Sequence, residues 1–509
     1  MGFPVAVAAS VRSPGFYLVV NLLAGVTSPG GGALRACIIG VISAAGDLVA
    51  DSEIRTSIRG ADVAETGFGS GMPGHLCAKA LFTEHPIAQV DIIGVAPPAG
   101  VAASGTFTFV LTTPPVLTAI VLRFRIAGRV KEISWNPGES ITVAAAKVAT
   151  AYTAIQNDMP CTVTSALGVV TVTAKEEGTW GNDIAISVER ISGTPADATC
   201  TASGANLASG TLQAATATAL AAIAGTEYDY ILNVTAGNED TATAATTSQP
   251  ALVKAHVNTY NTGANARLQQ SVFGFTGSLA NAKTGAAYQN EQTMQFKCMR
   301  SGLSLPAEVA GAEVGRRMRM ESEDPTVNAN GTIYKARLYP PVNLTTGALT
   351  DAEREDAYQS GVDPMVYDPT GAPKVDRPIT THFKDTNGNT DDRALDVAVP
   401  SGTYAFAKRL RASLPQQFAG AKLSPNLVEG DDALPPGTVE VREIQQFVIG
   451  EARDYVRKGW FDATFIKAAI DNGEFVARVN PDDAHQCDLI IPTRVSAAYL
   501  KTSAVVNAQ

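Results

Sequence analysis

Two runs, Gln269-Gln-Ser-Val-Phe-Gly-Phe275 and Thr293-Met-Gln-Phe-Lys-Cys-Met299, flank a small-residue stretch of helical length over 277–289. Short apolar runs closed off by Gly and polar residues predict strands, and the stretch between them predicts a helix. The same alternation extends outward. Upstream come an Ala-rich helix over 211–224, with Leu212, Leu220 and Ile223 on its buried side, a strand over 228–234 and a helix over 249–260; downstream, Pro306 opens a helix over 306–320. Helix and strand in turn predict an α/β layer with a largely parallel sheet, joined by the strands of residues 34–95.

That earlier region begins with Leu34-Arg-Ala-Cys-Ile-Ile-Gly-Val-Ile42, a buried strand. Gly67-Phe-Gly-Ser-Gly-Met-Pro-Gly74 then leads into a helix over 75–84 and a strand over 88–95. Pro97-Pro98 marks a boundary, and residues 104–205 read as a β-rich module. In it Phe107, Phe109 and Leu111 alternate, as do Ile120, Leu122, Phe124 and Ile126, and Ser140 caps a helix bearing Ile141, Ala144, Ala145, Val148, Tyr152 and Ile155. Thr350 and Glu353 form a capping box. Beyond it, Ile379, Thr381 and Phe383 alternate with Thr380, His382 and Lys384 ahead of Asn387-Gly388, which predicts a hairpin over 376–397, packed by a helix over 404–413. Val441, Ile444, Val448, Ala452 and Tyr455 share one face of a further helix, Asp462 caps the next, and strands over 475–479 and 488–492 follow.

The chain has 509 residues, 45% of them hydrophobic and 17% charged, and its net charge is −10. That length suits several domains. With no basic block to offset the acidic balance, a nucleic-acid partner is not expected. Six scattered cysteines read as reduced thiols, not as a disulfide framework. No apolar run reaches the ~18 residues of a membrane span. The run Phe16-Tyr-Leu-Val-Val-Asn-Leu-Leu-Ala-Gly25 imitates a leader but is interrupted by Asn21 and preceded by Pro14-Gly15.

Three constellations could carry chemistry. Gly69-x-Gly71-x-x-Gly74 matches a dinucleotide fingerprint in letters. Such a site needs its glycines directly after the first strand, which here ends about 25 residues earlier. His75, Cys77 and His85 could offer metal ligands, but without the second paired spacing of a zinc site. Asp385, Asn387, Asn389, Asp391 and Asp396 imitate a calcium loop, with Gly388 in the wrong place and no bidentate Glu. No Gly-x-Ser-x-Gly elbow or Walker loop occurs in the sequence. The expectation is a protein that is not an enzyme and needs no metal or cofactor; an enzyme using the Gly69–Gly74 loop and another self-assembling shell protein are the alternatives.

The sequence also resembles a family. The Ile379-Thr-Thr segment, the Asn387-Gly388 turn and the Leu395-Asp-Val exit look like the central signature of Mu-like contractile-tail sheath proteins. Leu34–Val41 followed by Phe68-Gly-Ser70 resembles the N-terminal pattern of those proteins, and Gly178-Thr-Trp-Gly-Asn-Asp-Ile184 resembles their inserted domain. The resemblance covers most of the chain and is strongest over 119–189 and 376–500. It implies an α/β (α+β multidomain) sheath-type fold, with an assembly domain over 33–96 and 206–492, taken either whole or as two subdomains split near 335. An inserted outer domain would occupy 97–205, with extended arms at 1–32 and 493–509. It further implies stacked hexameric rings around an inner tail tube, with baseplate and tail terminator proteins as further partners. Such a protein is part of a virion tail, is made and assembled in the bacterial host cytoplasm, and inserts into no membrane. The arm residues expected between subunits are Val5, Val7, Val11, Tyr17, Val495, Tyr499 and Leu500. A second expectation turns Arg442, Arg453, Arg457 and Lys458 of the helix over 441–458 toward the tube.

Overall fold

The computed structural model describes residues 34–112, 116, 118–193, 198–262, 266–425 and 436–496. Its centre is an eight-stranded sheet in the order Pro373–Val375, Asp363–Tyr367, Met294–Cys298, Gln270–Phe275, Tyr230–Asn233, Arg35–Val41, Gln89–Val95 and Ile54–Ile58. The six inner strands run parallel and the two edge strands antiparallel. Parallel strands are covered on both faces, which is why these segments are mostly apolar and almost wholly buried. The alternation in the sequence thus corresponds to an α/β layer. The helix expected over 249–260 is Gln249–Tyr260, capped by Ser248, and that expected over 306–320 is Pro306–Glu321.

The elements that escaped the sequence reading include the edge strands Ile54–Ile58 and Pro373–Val375, the strand Asp363–Tyr367 and the helix Ala61–Phe68. The strand Ile54–Ile58 is irregular, with Ser57 in the left-handed region at a register shift, so no clean alternation marks it. The helix expected over 211–224 shrinks to Ala217–Ile223. Leu212 has a φ of 64°, and its carbonyl accepts from Thr179 N–H while Thr211 N–H donates to Val101. Those bonds belong to the connection out of the β-rich module, not to a helix.

The helix Pro306–Glu321, hereafter the central helix, is buried around nearly its whole circumference. Gly311 and Gly315 let the helix Pro73–Glu84 approach it closely. A Cβ at Gly311 would stand 2.9 Å from Cys77 Sγ, and one at Gly315 would stand 2.9 Å from Leu81 Cα. Charged side chains of the central helix are neutralised inside the protein. Lys297 Nζ lies 2.7 Å from Asp363 Oδ1, and Gln295 Nε2 donates to Glu313 at 2.9 Å; Arg316 pairs with Glu313. Arg317 pairs with Glu321 at 2.8 Å and donates to Gln270 and Ser401, each at 2.8 Å. Burial works against the Glu313 carboxylate, but Arg316 and Lys297 hold it below the usual range.

Residues 104–202 build two further sheets that face each other. One has the order Ala198–Ala202, Ser104–Leu111, Val169–Ala174, Cys161–Ala166, and the other Arg129–Trp135, Ile120–Ile126, Ile186–Ser192. Phe107, Phe109, Phe124 and Trp135 meet edge-to-face or tilted between them. The Tyr152 hydroxyl, on helix Ile141–Thr153, lies 2.9 Å from the carbonyls of Phe124 and Arg129.

The hairpin expected over 376–397 departs from the half-buried pattern. Ile379, Thr380, Thr381, His382 and Phe383 are all buried, and the two arms meet at the isolated bridges Ile379–Asp396 and Lys384–Thr390 and not in a regular ladder. The segment lies in a cleft where Thr381 N–H donates to Met294 O, Phe383 N–H to Asn290 Oδ1 and Thr380 N–H to Leu395 O. These backbone donors are therefore satisfied within the chain. The helix after it runs from Ala398 to Gln417. Its first turns pack on the sheet, with Ser401 against Gln270 and Tyr404 against Asn261. Its later residues Phe406, Leu410 and Leu414 enter a second core with Ile444, Val448, Tyr455, Phe461 and Ile466. That carboxy-terminal module carries the parallel pair Lys422–Ser424 and Thr438–Glu440, the helices Val441–Arg457 and Ala463–Asp471, and the hairpin Val476–Val479 with Cys487–Ile490.

Candidate functional site

In a doubly wound sheet, ligands bind beyond the carboxyl ends of the strands where the strand order reverses. Here the chain adds strands on one side of Arg35–Val41 and then on the other, so the reversal falls between Arg35–Val41 and Tyr230–Asn233. The β-rich insertion reaches into this crevice. After Val41, the Ala44 N–H donates to Glu176 Oε1 at 3.1 Å. After Asn233, the Asn238 N–H donates to Asp183 Oδ2 at 2.7 Å. Asp183 ends the turn Thr179–Asp183, which carries the buried Trp180, and Gly237 is tight against both: its Cβ would stand 2.6 Å from Asp183 Oδ2 and 3.3 Å from Trp180 Cα. Carboxylates of the chain itself thus take backbone donors of the kind that phosphates take elsewhere.

The Gly69–Gly74 loop is filled in the same way. A Cβ at Gly71 would collide with the carbonyl of Met159 and stand 2.6 Å from Lys175 Nζ. Lys175 donates to the carbonyls of Ser70 at 2.6 Å and Gln156 at 2.9 Å, and Ser70 Oγ donates to Asn157 O at 2.8 Å. The Gly71 N–H is taken by His75 Nδ1 at 2.9 Å. The glycines serve close packing of the insertion, with Gly74 against the ring of Phe68. His75 is thereby engaged, and Cys77, on the same helix, faces Gly311 of the central helix. The calcium-like carboxylates also have protein partners. Asp385 Oδ1 accepts from the N–H groups of Asn387 and Asn389, Asp391 binds His382 and Arg393, and Asp396 takes both arms of Arg377.

What remains exposed are edges and faces. At one end of the large sheet, Pro373–Val375 is covered by residues 331–334, through Val375 N–H to Thr332 O and Tyr334 N–H to Pro373 O. At the other end, Ile54–Ile58 is irregular and carries Arg55, paired with Asp47 and Glu53. Bulges, charge and proline all discourage strand addition. The two-stranded sheets of the carboxy-terminal module have no further strand beside them among the described residues.

Of the arm residues, Val5, Val7, Val11, Tyr17, Tyr499 and Leu500 lie outside the described residues. Val495 is placed: it bridges Phe461, Asp462 N–H donates to Arg494 O at 2.9 Å, and Ser496 N–H donates to Trp460 O at 3.0 Å. Residues 494–496 are thus anchored on their own chain. On Val441–Arg457 the anticipated apolar face is buried, and Arg442, Arg453, Arg457 and Lys458 lie on the exposed side. Arg457 and Lys458 share Asp454, at 3.0 and 3.2 Å, and Lys458 also covers the rings of Tyr455 and Trp460. Arg442 meets Glu440 at 3.0 Å. The sequence held no signal for the insertion's grip on the crevice, because its partners are far apart in the chain.

No family model matches the sequence, and no curated protein matches it. Solved structures similar to this one include a sheath tail protein from Desulfitobacterium hafniense, at 10% identity and a TM-score of 0.39 over 89% of this chain and 91% of that one. A sheath tail protein from Listeria innocua is similar at 12% identity and a TM-score of 0.40, over 86% and 87%.

Proposed function

We propose that this chain is a structural subunit of a contractile tail, of the Mu-like sheath type that its sequence resembles. It polymerises as stacked hexameric rings around an inner tail tube, ends at baseplate and terminator proteins, and contracts to drive the tube through a target envelope. The observation that carries this reading is the sealed crevice: where an α/β enzyme receives its ligand, the chain seats Glu176, Lys175 and Asp183 of its own insertion. That directs function to edges and faces. We assign residues 33–96 and 206–492 to assembly, with the carboxy-terminal module as its docking part, residues 97–205 to an outer insertion, and residues 1–32 and 493–509 to arms, the latter rooted on its own chain at 494–496.

The arms add strands to the hairpin Val476–Val479 with Cys487–Ile490 of a neighbour, since two-stranded sheets are marginal alone and accept further strands. A six-residue strand makes about six hydrogen bonds at roughly 0.5–1.5 kcal/mol each. Ordering its backbone costs about 1–2 kcal/mol per residue. One arm is near break-even, so assembly requires two arms and a template. The exposed Arg453, with Arg442, Arg457 and Lys458, faces the tube. Electron microscopy of the full chain and of truncations lacking 1–20 or 497–509, each mixed with tube protein, tests this reading. With tube protein present, sheath tubes are expected from the full chain and not from the truncations, and Arg453→Glu should lower tube-templated assembly. Normal tubes from both truncations would overturn the arm assignment.

A further inference from the structure

We propose that the junction between the insertion and the sheet is a pH-sensitive latch, held most firmly in mild acid and loosened toward neutral pH by Asp183 and Asp240. Two buried acids meet at one short helix, Asn238–Thr241. Asp183 crosses from the insertion to accept the Asn238 N–H at 2.7 Å. Asp240, from the helix itself, accepts the N–H of Gln249, the first residue of the helix Gln249–Tyr260, at 2.8 Å. Neither carboxyl has an ion-pair partner among the described residues, and the charged group that acts on each is Glu239, another acid. A buried carboxylate that faces backbone N–H groups, at Asp183 the Asn238 amide as well, and a like charge, with no cation paired to it, is stabilised by taking up a proton.

Burial pushes Asp183 up to about 7 and Asp240 up to about 6. When the junction opens and water reaches them, both return to the usual carboxylate range near 4. Between those limits the closed form holds more protons than the open one. Its extra stability is complete below about pH 4, is lost as pH rises to about 7, and changes little beyond. Each proton makes opening up to about tenfold easier per pH unit inside that window. Other groups at the interface are of two kinds. Lys79 pairs with Asp158, whose carboxyl it holds low, and Lys175, pushed down by burial, bonds to carbonyls. Glu176, raised by burial, adds to the effect, whereas His75, held neutral by burial, opposes it in stronger acid.

The test compares the full chain with Asp183→Asn, Asp240→Asn and the double variant, since asparagine approximates the shape of the neutral acid. Limited proteolysis in the connections at 97–103 and 203–216 reads opening, at pH 5.5 and 7.5. The unmodified chain is expected to be cut at least tenfold faster at the higher pH after correction for protease activity, and the double variant to change less than threefold. Equal pH dependence in both would overturn the proposal. If Asp183→Asn does not fold, hydrogen exchange of amides 234–241 in the unmodified chain decides. Opening that rises with pH, after the intrinsic exchange rate is removed, supports the latch, and constant opening refutes it.

Discussion

Replacing Lys297 by Met tests whether the centre of the sheet depends on charge balance or only on shape. Lys297 and Asp363 are both fully buried, 2.7 Å apart, and Gln295 also donates to Asp363. Met fills a similar volume but leaves Asp363 without its ion-pair partner and close to Glu313, which acts on it as a like charge. Breaking a buried pair from one side costs about 3–5 kcal/mol. Asp363 can escape part of that by protonating. Burial already pushes its carboxyl up to about 6 with Lys297 present, and Lys297 is what restrains the rise. Without it the folded-state value climbs further above the unfolded value near 4, so stability falls as pH rises. The expected cost is about 1–2 kcal/mol at pH 5, little more than the lost hydrogen bond, and about 3–5 kcal/mol at pH 8. The double variant Lys297→Met with Asp363→Leu should recover to within about 1–2 kcal/mol of the parent at both pH values, because apolar pairs replace buried ion pairs at little cost. Chemical denaturation followed by far-UV circular dichroism, with hydrogen exchange over 294–298, measures both. A single variant that loses equally at pH 5 and pH 8, or a double variant worse than the single, would refute the reasoning.

Gly311→Ala should cost about 1–3 kcal/mol by forcing the central helix off Cys77. Gly450→Ala, on the helix Val441–Arg457 with open space around it, should be neutral or stabilise by up to about 1 kcal/mol; equal losses at both sites in thermal melts would contradict the close approach. Millimolar ATP or NAD should leave the melting temperature of the full chain unchanged, and a rise with either would show that the Gly69–Gly74 loop is not sealed.

The parallel sheet was legible because strands covered on both faces are short, apolar and closed off by helix signals, as Gln270–Phe275 and Met294–Cys298 are. Caps were legible for the same local reason: Ser140, Thr350 and Asp462 each accept a backbone N–H where the sequence placed a helix start. Residues 376–383 misled because alternation of types implied a solvent face, whereas the cleft against Asn290 and Met294 buries both sides. The crevice contacts and the ion network were out of reach. Asp183 meets Asn238 55 residues on, and Lys297 meets Asp363 66 residues on, and no local pattern encodes such meetings.

The helix Ala398–Gln417 belongs to two cores, and this has a mechanical consequence. Its 20 residues span about 30 Å. Besides its packing on the sheet at Ser401 and Tyr404, it is tied at Lys408 and Arg411 to Asp229 and Glu227 just before a sheet strand. A pull on the carboxy-terminal module along this axis loads those bonds together, in shear, whereas a sideways pull would peel them apart one at a time. The chain would therefore pass a tug on that module stiffly in one direction and give way in another, so that the direction of load decides which tugs reach the sheet.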